Sequence, residues 1–188
     1  MPKRPARRAK VGPYRTVFRG KLYTIKQARV LPSRGKPLTY ELAEHVPSVV
    51  VLALDDRGRL LINHEYRSRQ RAYDWRLPAG RVEPGESPRH AAQRELREEA
   101  GVRAQKLKLF YVKDGRHSQS LNWPTHIFLA SGLQPAPLLR DADEDIRTNR
   151  VPLTRAIRMA LDGTIKNDLA AYVILKLAYQ RGLLKLPR

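Results

Sequence analysis

Three glutamates, Glu95, Glu98 and Glu99, have the types and spacing best suited to chemistry in this chain. At about 100° per residue, a helix would bring their carboxylates into an arc of roughly 100° on one face. Glu95 and Glu99 would stand one turn apart and repel each other, and acids in the last turn face the negative end of the helix dipole. The arrangement therefore requires positive charge nearby.

Two sources of positive charge are consistent with this pattern. Arg94 and Arg97 lie on the same segment and could neutralise the acids as ordinary surface ion pairs. A divalent cation such as Mg²⁺ could do so instead, because hard ions bind carboxylate and carbonyl oxygens and usually retain waters for phosphate substrates. The rest of the segment favours the cation.

A short helix must position these carboxylates. Ser87 followed by Pro88 is typical of an N-cap and the first helical position, and Gly101 is typical of a C-cap. A narrow apolar stripe beside the acids is formed by Ala92, Leu96 and Ala100. We therefore expect a helix that packs on a sheet through this stripe and presents its acids to a cleft.

The stretch from Gly80 to Val102 resembles the Nudix box. That motif is a glycine, five residues, a glutamate, seven residues, and then Arg-Glu-aliphatic-any-Glu-Glu-any-Gly-aliphatic. The matching residues are Gly80, Glu86, Arg94, Glu95, Leu96, Glu98, Glu99, Gly101 and Val102. The resemblance implies the Nudix fold, of class α+β, an α/β/α sandwich with a mixed β-sheet between helices. It also implies a hydrolase that uses Mg²⁺, with Mn²⁺ as the alternative ion.

The resemblance assigns roles to the box residues. In this family the carbonyl of the alanine before the box glycine is a metal ligand, and that alanine corresponds to Ala79. The implied metal ligands are Ala79, Glu95, Glu98 and Glu99. Arg94 is expected to orient the glutamates, Glu86 to steady the junction between loop and helix, and Gly80 to form a tight turn.

The segment before the box, residues 64–80, resembles that of nucleoside diphosphate sugar hydrolases, in which a Tyr-Arg pair leads to Leu-Pro-Ala-Gly. Arg67 of that pair is a candidate for binding phosphate or ribose, because a planar guanidinium suits phosphate oxygens; an ordinary surface arginine is the alternative. The family usually has a glutamate where this chain has Arg76, so base or sugar recognition is expected to differ. The candidate substrate-binding residues are Arg67, Arg76, Gly80 and His117.

Two later loops complete the candidate site. The polar loop of residues 113–124 reads as a lid or substrate wall, in which His117 either contacts substrate or is idle. An acidic cluster follows at residues 139–146. In the sugar-diphosphate branch such a loop supplies the general base or a further metal contact. The matching residue is Glu144, with Asp143 and Asp145 as alternatives. A plain acidic turn without a catalytic role is the other interpretation. The candidate catalytic residues are Glu98, Glu144 and Arg94.

Composition and charge limit the protein class. The 188 residues carry a net charge of +19 and no cysteine, which excludes disulfides and thiolate metal sites and makes the cytoplasm the default location. No apolar run approaches the ~20 residues of a membrane span. Twelve Lys or Arg residues and no acid precede Glu41. This basic segment is compatible with a solvated tail, with contact to RNA, or with organelle targeting.

The pattern of apolar residues predicts three regions. Residues 1–13 form a disordered basic tail, residues 14–47 an N-terminal antiparallel β-sheet, and residues 48–188 the Nudix hydrolase domain. The resemblance implies that the N-terminal sheet makes a homodimer. Within the domain, the apolar run at 49–54 indicates a strand buried on both faces, 107–112 and 125–130 indicate further strands, and 154–162 and 168–180 indicate helices.

The expected activity is metal-dependent hydrolysis of the pyrophosphate bond of a nucleoside diphosphate linked to a sugar. An ADP-ribose-like substrate would give a nucleoside monophosphate and a sugar phosphate. One alternative is a Nudix hydrolase of RNA 5′ ends, caps or nucleoside polyphosphates. Another is a catalytically inactive module that binds nucleotide or RNA, which the full set of box glutamates argues against. ADP-ribose hydrolases usually have a Pro-Gly turn near residues 116–118, and its absence here counts against ADP-ribose in particular.

Overall fold

The computed structural model describes residues 8–115, 118, 120–139 and 145–184. The chain divides into two compact units, one comprising Met1–Pro47 with Lys113–Pro124 and the other Ser48–Val112 with Thr125–Arg188. None of the helices within the described ranges is both long and apolar enough to cross a bilayer.

The regular elements follow the chain order. The strands are β1 (Lys10–Val11), β2 (Arg15–Arg19), β3 (Tyr23–Leu31), β4 (Leu38–His45), β5 (Ser48–Ala53), β6 (Arg59–Arg67), β7 (Ala72–Arg76), β8 (Ala79–Arg81), β9 (Val102–Lys113), β10 (Leu121–Asn122), β11 (Thr125–Pro135) and β12 (Ile146–Pro152). The helices are α1 (Pro88–Ala100), α2 (Leu153–Leu161) and α3 (Asp168–Gln180).

The first unit is a five-stranded sheet. Its main order is β1-β3-β4-β10, and β2 also pairs with β3. The strands from β1 to β4 pair antiparallel, as the sequence predicts, whereas β10 adds in parallel to β4 with Leu121 opposite Ala43. A short strand therefore occupies part of the segment that reads as a polar loop in the sequence.

The predicted disordered tail, residues 1–13, includes residues that are ordered in the structure. Lys10 and Val11, inside the predicted disordered range 1–13, pair with Leu31 and Val30 of β3, and the N–H of Gly12 donates to the Arg29 carbonyl at 2.9 Å. A two-residue strand has no local periodicity that sequence could reveal, because the neighbouring strand supplies its hydrogen bonds.

The second unit contains two sheets and the three helices. One sheet has the order β8-β5-β11-β9, with β5 and β11 parallel, and the other has the order β12-β6-β7, entirely antiparallel. The unit therefore mixes parallel and antiparallel pairing, as predicted for the α+β class.

Strand β5 shows why the sequence is apolar without alternation. Val49, Val51 and Ala53 pack in a buried cluster with α1, while Leu52 and Leu54 pack in a second cluster with α2 and α3. Helices thus cover both faces of the strand, and burying each such Leu or Val stabilises the fold by about 1.5–3 kcal/mol. The prediction of a strand buried on both faces, within a sandwich of helices, is confirmed.

Candidate active site

The position of the glutamates is set by the termini and the buried face of α1. The Ser87 hydroxyl accepts from the His90 N–H at 3.2 Å, and Gly101 closes the helix with a φ of 67°. Ala91, Ala92 and Leu96 are fully buried against the sheet and fix the rotation of the helix, which leaves the neighbouring carboxylates buried as well; Glu95 is 7% exposed and Glu99 is 5% exposed.

Arg94 binds three of the four box glutamates. Its guanidinium donates to Glu86 through Nε (3.2 Å) and Nη2 (3.1 Å), to Glu95 Oε1 (2.7 Å) and to Glu98 Oε2 (2.9 Å). It also donates to the Arg81 carbonyl at 2.8 Å. We call Arg94 with Glu86, Glu95 and Glu98 the Arg94 group. The Nε of Arg97, on the same helix, donates to the Ala136 carbonyl at 3.1 Å.

The charges of the Arg94 group stabilise one another. Burial by itself raises the pKa of Glu86, but the hydrogen bonds from Arg94 outweigh it and hold the pKa below the ordinary value of 4.5. Burial by itself lowers the pKa of Arg94, and the hydrogen bonds to Glu86 and the negative charge of Glu95 outweigh it and raise the pKa above its ordinary value. Glu86 and Arg94 are therefore both ionised at neutral pH.

Glu99 is held by neutral groups instead. Its Oε2 accepts from Asn63 Nδ2 at 2.8 Å and from the Ala79 N–H at 3.1 Å. Asn63 Oδ1 in turn accepts from the Thr148 hydroxyl at 2.8 Å. Sequence reasoning missed Asn63 and Thr148; the one available signal was an amide directly after the apolar run Leu60-Leu61-Ile62, on a strand expected to be buried.

Gly80 is required by close approach rather than by a turn. It lies in β8 opposite Val49, and a Cβ built on it would stand 1.9 Å from Oε1 of Glu95. The expected tight turn at Gly80 is therefore wrong: the backbone is extended there, and the absent side chain leaves room for the Glu95 carboxylate.

The oxygen donors of this region fit a hard divalent cation. Two buried carboxylates, Glu95 and Glu99, lie beside the backbone of Ala79 and Gly80. Within the described ranges, no three His, Cys, Asp or Glu side chains form a metal-binding group by themselves. A cation bound here could take its remaining ligands from backbone, substrate or water oxygens, which is how Mg²⁺ is usually bound.

Arg67 and Arg76 belong to a cluster of alternating charges on β6 and β7. Glu65 pairs with Arg67 and also with Arg76, whose Nε lies 3.5 Å from Glu65 Oε2, and Arg76 Nη1 lies 3.6 Å from Asp74 Oδ2. We call these four residues the β6–β7 charge cluster. Arg76 stands opposite Asn63 in the strand pair, so the cluster continues the face on which Asn63 holds Glu99.

The remaining candidates have different outcomes. His117, Asp143 and Glu144 lie outside the described residues. Asp145 is described, and its carboxylate accepts a hydrogen bond from the Tyr73 hydroxyl, which raises the pKa of Tyr73 above its ordinary value. Asp145 therefore serves as a partner of β7, and its backbone carbonyl accepts from the Tyr66 N–H at 2.9 Å.

Comparison with known proteins agrees with this geometry. The family model described as the NUDIX domain matches residues 44–170. The ADP-ribose pyrophosphatase of Bacillus subtilis is 30% identical over 172 residues, which cover 89% of this chain and 91% of the relative. The ADP-ribose pyrophosphatase of Mycobacterium tuberculosis is 30% identical over 158 residues, which cover 82% of this chain and 76% of the relative.

A solved structure supports the same fold. The crystal structure of an ADP compounds hydrolase superposes with a TM-score of 0.78 at 23% identity, covering 97% of this chain and 100% of that one. The fold, the box residues and the family match agree, and the resemblance seen in the sequence is confirmed. The chain belongs to the Nudix family and is a hydrolase.

Proposed function

We propose that this hydrolase cleaves the pyrophosphate bond of a nucleoside diphosphate linked to a sugar or a similar group, in a reaction that requires Mg²⁺. The observation that carries the proposal is the pair of buried carboxylates, Glu95 and Glu99, on one face of α1 beside the Ala79–Gly80 backbone. Carboxylate and backbone oxygens grouped in this way are the ligands that hard divalent cations take. The names of the two relatives favour ADP-ribose as the first substrate to test.

The residues that would hold the ion are Ala79, through its carbonyl, and the three helix glutamates Glu95, Glu98 and Glu99. When bound, Mg²⁺ would polarise the phosphoryl oxygens and supply Lewis-acid activation of water; Mn²⁺ is the alternative ion. Arg94 keeps Glu95 and Glu98 in one orientation through its hydrogen bonds. Glu98 and Arg94 thus remain the catalytic candidates among the described residues.

The β6–β7 charge cluster is the proposed site for the diphosphate or the sugar. Its two guanidiniums, Arg67 and Arg76, share the Glu65 carboxylate, which holds them side by side. A planar guanidinium can donate two parallel hydrogen bonds to phosphate oxygens. Because Glu65 and Asp74 balance both positive charges, the cluster is ready to exchange a carboxylate partner for a phosphate.

The test is a substrate panel with the purified protein and MgCl₂. The panel contains ADP-ribose, other nucleoside diphosphate sugars, dinucleoside polyphosphates, nucleoside di- and triphosphates and capped RNA, with products identified by mass. We expect AMP and ribose 5-phosphate from ADP-ribose, and no turnover in the presence of EDTA. Efficient release of nucleotide from capped RNA or from nucleoside polyphosphates, with nucleoside diphosphate sugars untouched, would contradict the proposal.

We also propose that the sheet of the first unit joins two copies of the chain. Large apolar side chains on its strands are exposed to solvent, among them Val17 at 48%, Phe18 at 58% and Leu31 at 47%, and patches of this kind mark interfaces. Native mass measurement should give a dimer for the wild type and a monomer for Phe18→Asp. Leu161→Asp, at an exposed position on α2, is the matched control and should stay dimeric; a monomeric wild type would refute this proposal.

A further inference from the structure

Asn63 is a polar side chain in an almost completely buried position. It follows Leu60, Leu61 and Ile62 in β6, and 1% of its surface is exposed. Burying an amide costs free energy unless both of its ends are hydrogen-bonded. Its two partners therefore show why an amide occupies this position.

The hydrogen bonds of Asn63 fix its orientation. The carboxylate of Glu99 can only accept, so the Asn63 amide must present its NH₂ to Glu99 Oε2, at 2.8 Å. Asn63 Oδ1 then faces the Thr148 hydroxyl, which must donate to it, also at 2.8 Å. The Thr148 hydroxyl lies 2.8 Å from the Glu99 carbonyl as well, so its proton is shared between two acceptors.

These contacts tie one carboxylate to three strands. Asn63 and Thr148 are directly opposite each other in the β6–β12 pair, and the Ala79 N–H of β8 donates to the same carboxylate oxygen at 3.1 Å. Thr148 also binds a carbonyl in the last turn of α1, where such groups lack helical partners. The orientation of Glu99 is thus set by rigid strands through the Asn63 amide and the Ala79 N–H.

We propose that Asn63 and Thr148 are positioning residues that hold the Glu99 carboxylate in the orientation in which it binds the divalent cation. The inference rests on the proposed function, since Glu99 is assigned to the cation there. Both residues act through Glu99: Asn63 through the carboxylate oxygen, and Thr148 through Asn63 and the Glu99 backbone.

The experiment measures Mn²⁺ binding in the absence of substrate, from the electron paramagnetic resonance signal of free Mn²⁺ during titration. Asn63→Leu removes both hydrogen bonds at similar volume and should weaken binding about 10–100-fold, the range typical of residues that orient a metal ligand. Thr148→Val should weaken it less, and Thr148→Ser, which keeps the hydroxyl, should restore it.

The matched control is Thr125→Val. Thr125 is 2% exposed, and its hydroxyl is 3.1 Å from that of Ser48, so the variant loses a buried hydroxyl from the same unit without touching Glu99. It should lower the midpoint of thermal unfolding and leave Mn²⁺ affinity unchanged. Equal losses of affinity in Thr125→Val and Thr148→Val would show a merely structural role and overturn the inference.

Turnover separates this inference from the function on which it rests. In Asn63→Leu, raising Mg²⁺ should recover most of kcat, because the lost step is ion binding. Should Asn63→Leu fail to fold, the Thr148→Val and Thr148→Ser pair decides the question alone. Suppose that Glu99→Gln loses Mn²⁺ binding while Asn63→Leu and Thr148→Val bind Mn²⁺ as the wild type does. That result would contradict the positioning roles of Asn63 and Thr148 and leave the metal assignment of Glu99 intact. Undiminished binding and turnover in Glu99→Gln would instead remove the metal assignment itself.

Discussion

The four glutamates of the box are held in two different ways. Glu86, Glu95 and Glu98 share the single guanidinium of Arg94, whereas an amide and a backbone N–H donate to Glu99. Both modes satisfy buried oxygens. The Arg94 group cancels part of its negative charge internally, while the donors to Glu99 are neutral groups that orient its carboxylate.

This difference separates two tasks within one helix. An arginine among several acids keeps a crowded cluster stable without any ion, because a buried charge without a partner is costly. A carboxylate that neutral donors hold keeps its full charge for a cation. We therefore expect substitutions in the Arg94 group to affect both stability and activity, and substitutions around Glu99 to affect mainly ion binding.

The largest effect should come from Arg94→Met, which removes the charge that the three glutamates share. Leaving these half-buried carboxylates without their donor should cost about 2–3 kcal/mol of unfolding free energy and at least about 100-fold in turnover. Thermal unfolding and steady-state kinetics measure the two losses. Mg²⁺ should raise the unfolding midpoint of this variant more than that of the wild type, because the ion replaces the missing positive charge.

Arg97→Met is the control for that variant. Arg97 lies on the same helix and donates to the Ala136 carbonyl. The control should keep its activity and lose no more than the roughly 1 kcal/mol typical of one hydrogen bond. If Arg94→Met were as stable and as active as Arg97→Met, the Arg94 group would not be the balanced cluster described above.

The second largest effect on turnover should come from Gly80→Ala, which acts on Glu95. The added methyl would overlap the Glu95 carboxylate, and a displacement of about 1 Å can reduce turnover by roughly 100-fold. Because a flexible side chain can move aside, the stability should fall little. Circular dichroism and kinetics would measure both quantities.

Gly58→Ala is the control for Gly80→Ala and should show the opposite pattern, a loss of stability without a loss of turnover. Gly58 has a φ of 70° and open space around it, so alanine there should cost about 1–2 kcal/mol of stability and leave turnover unchanged. Full activity in Gly80→Ala would show that the position of Glu95 is not set by the missing side chain of Gly80.

The smallest effect is the acid sensitivity of Glu86. Its pKa in the folded protein lies below the ordinary value of 4.5, so its stabilising contribution is complete above about pH 4.5 and is lost as the pH falls through the lowered folded value. Glu86→Gln should therefore have a lower unfolding free energy than the wild type at pH 7, by under about 1 kcal/mol, and this difference should shrink at pH 3. The midpoints of thermal unfolding at the two pH values measure it.

Glu83→Gln is the companion measurement, since Glu83 is exposed and contacts Glu86 through backbone groups: its N–H donates to the Glu86 carboxylate and its carbonyl accepts from the Glu86 N–H. Its stability should follow that of the wild type at both pH values. A difference between Glu86→Gln and the wild type that stays constant from pH 7 to pH 3 would contradict the charge pairing of Glu86 with Arg94.

Local patterns in the sequence predicted the helix, since Ser87 and Gly101 define the two ends of α1. The pairing of Arg94 with Glu98, four residues further on, also follows from helical spacing. The contacts of Arg94 with the adjacent Glu95 and with Glu86, which precedes the helix, do not follow from that spacing.

The partners of Glu99 depend on the fold instead. Asn63 precedes Glu99 by 36 residues and Thr148 follows it by 49, and only the pairing of β6 with β12 brings them together. An asparagine in a strand has no fixed role in a sequence pattern, because it can cap, turn or face solvent equally well. Gly80 likewise read as a turn, since close approach of a distant side chain leaves no local signal.

The most direct test of the central claim is the Mg²⁺-dependent hydrolysis of ADP-ribose by Glu99→Gln, beside the wild type. The substitution keeps the size of the side chain and removes its charge. We predict a folded protein, with an unfolding midpoint close to the wild type, that loses more turnover than the 10–100-fold typical of residues that only position a ligand. Wild-type turnover by Glu99→Gln would contradict the claim that this carboxylate serves a cation in the reaction.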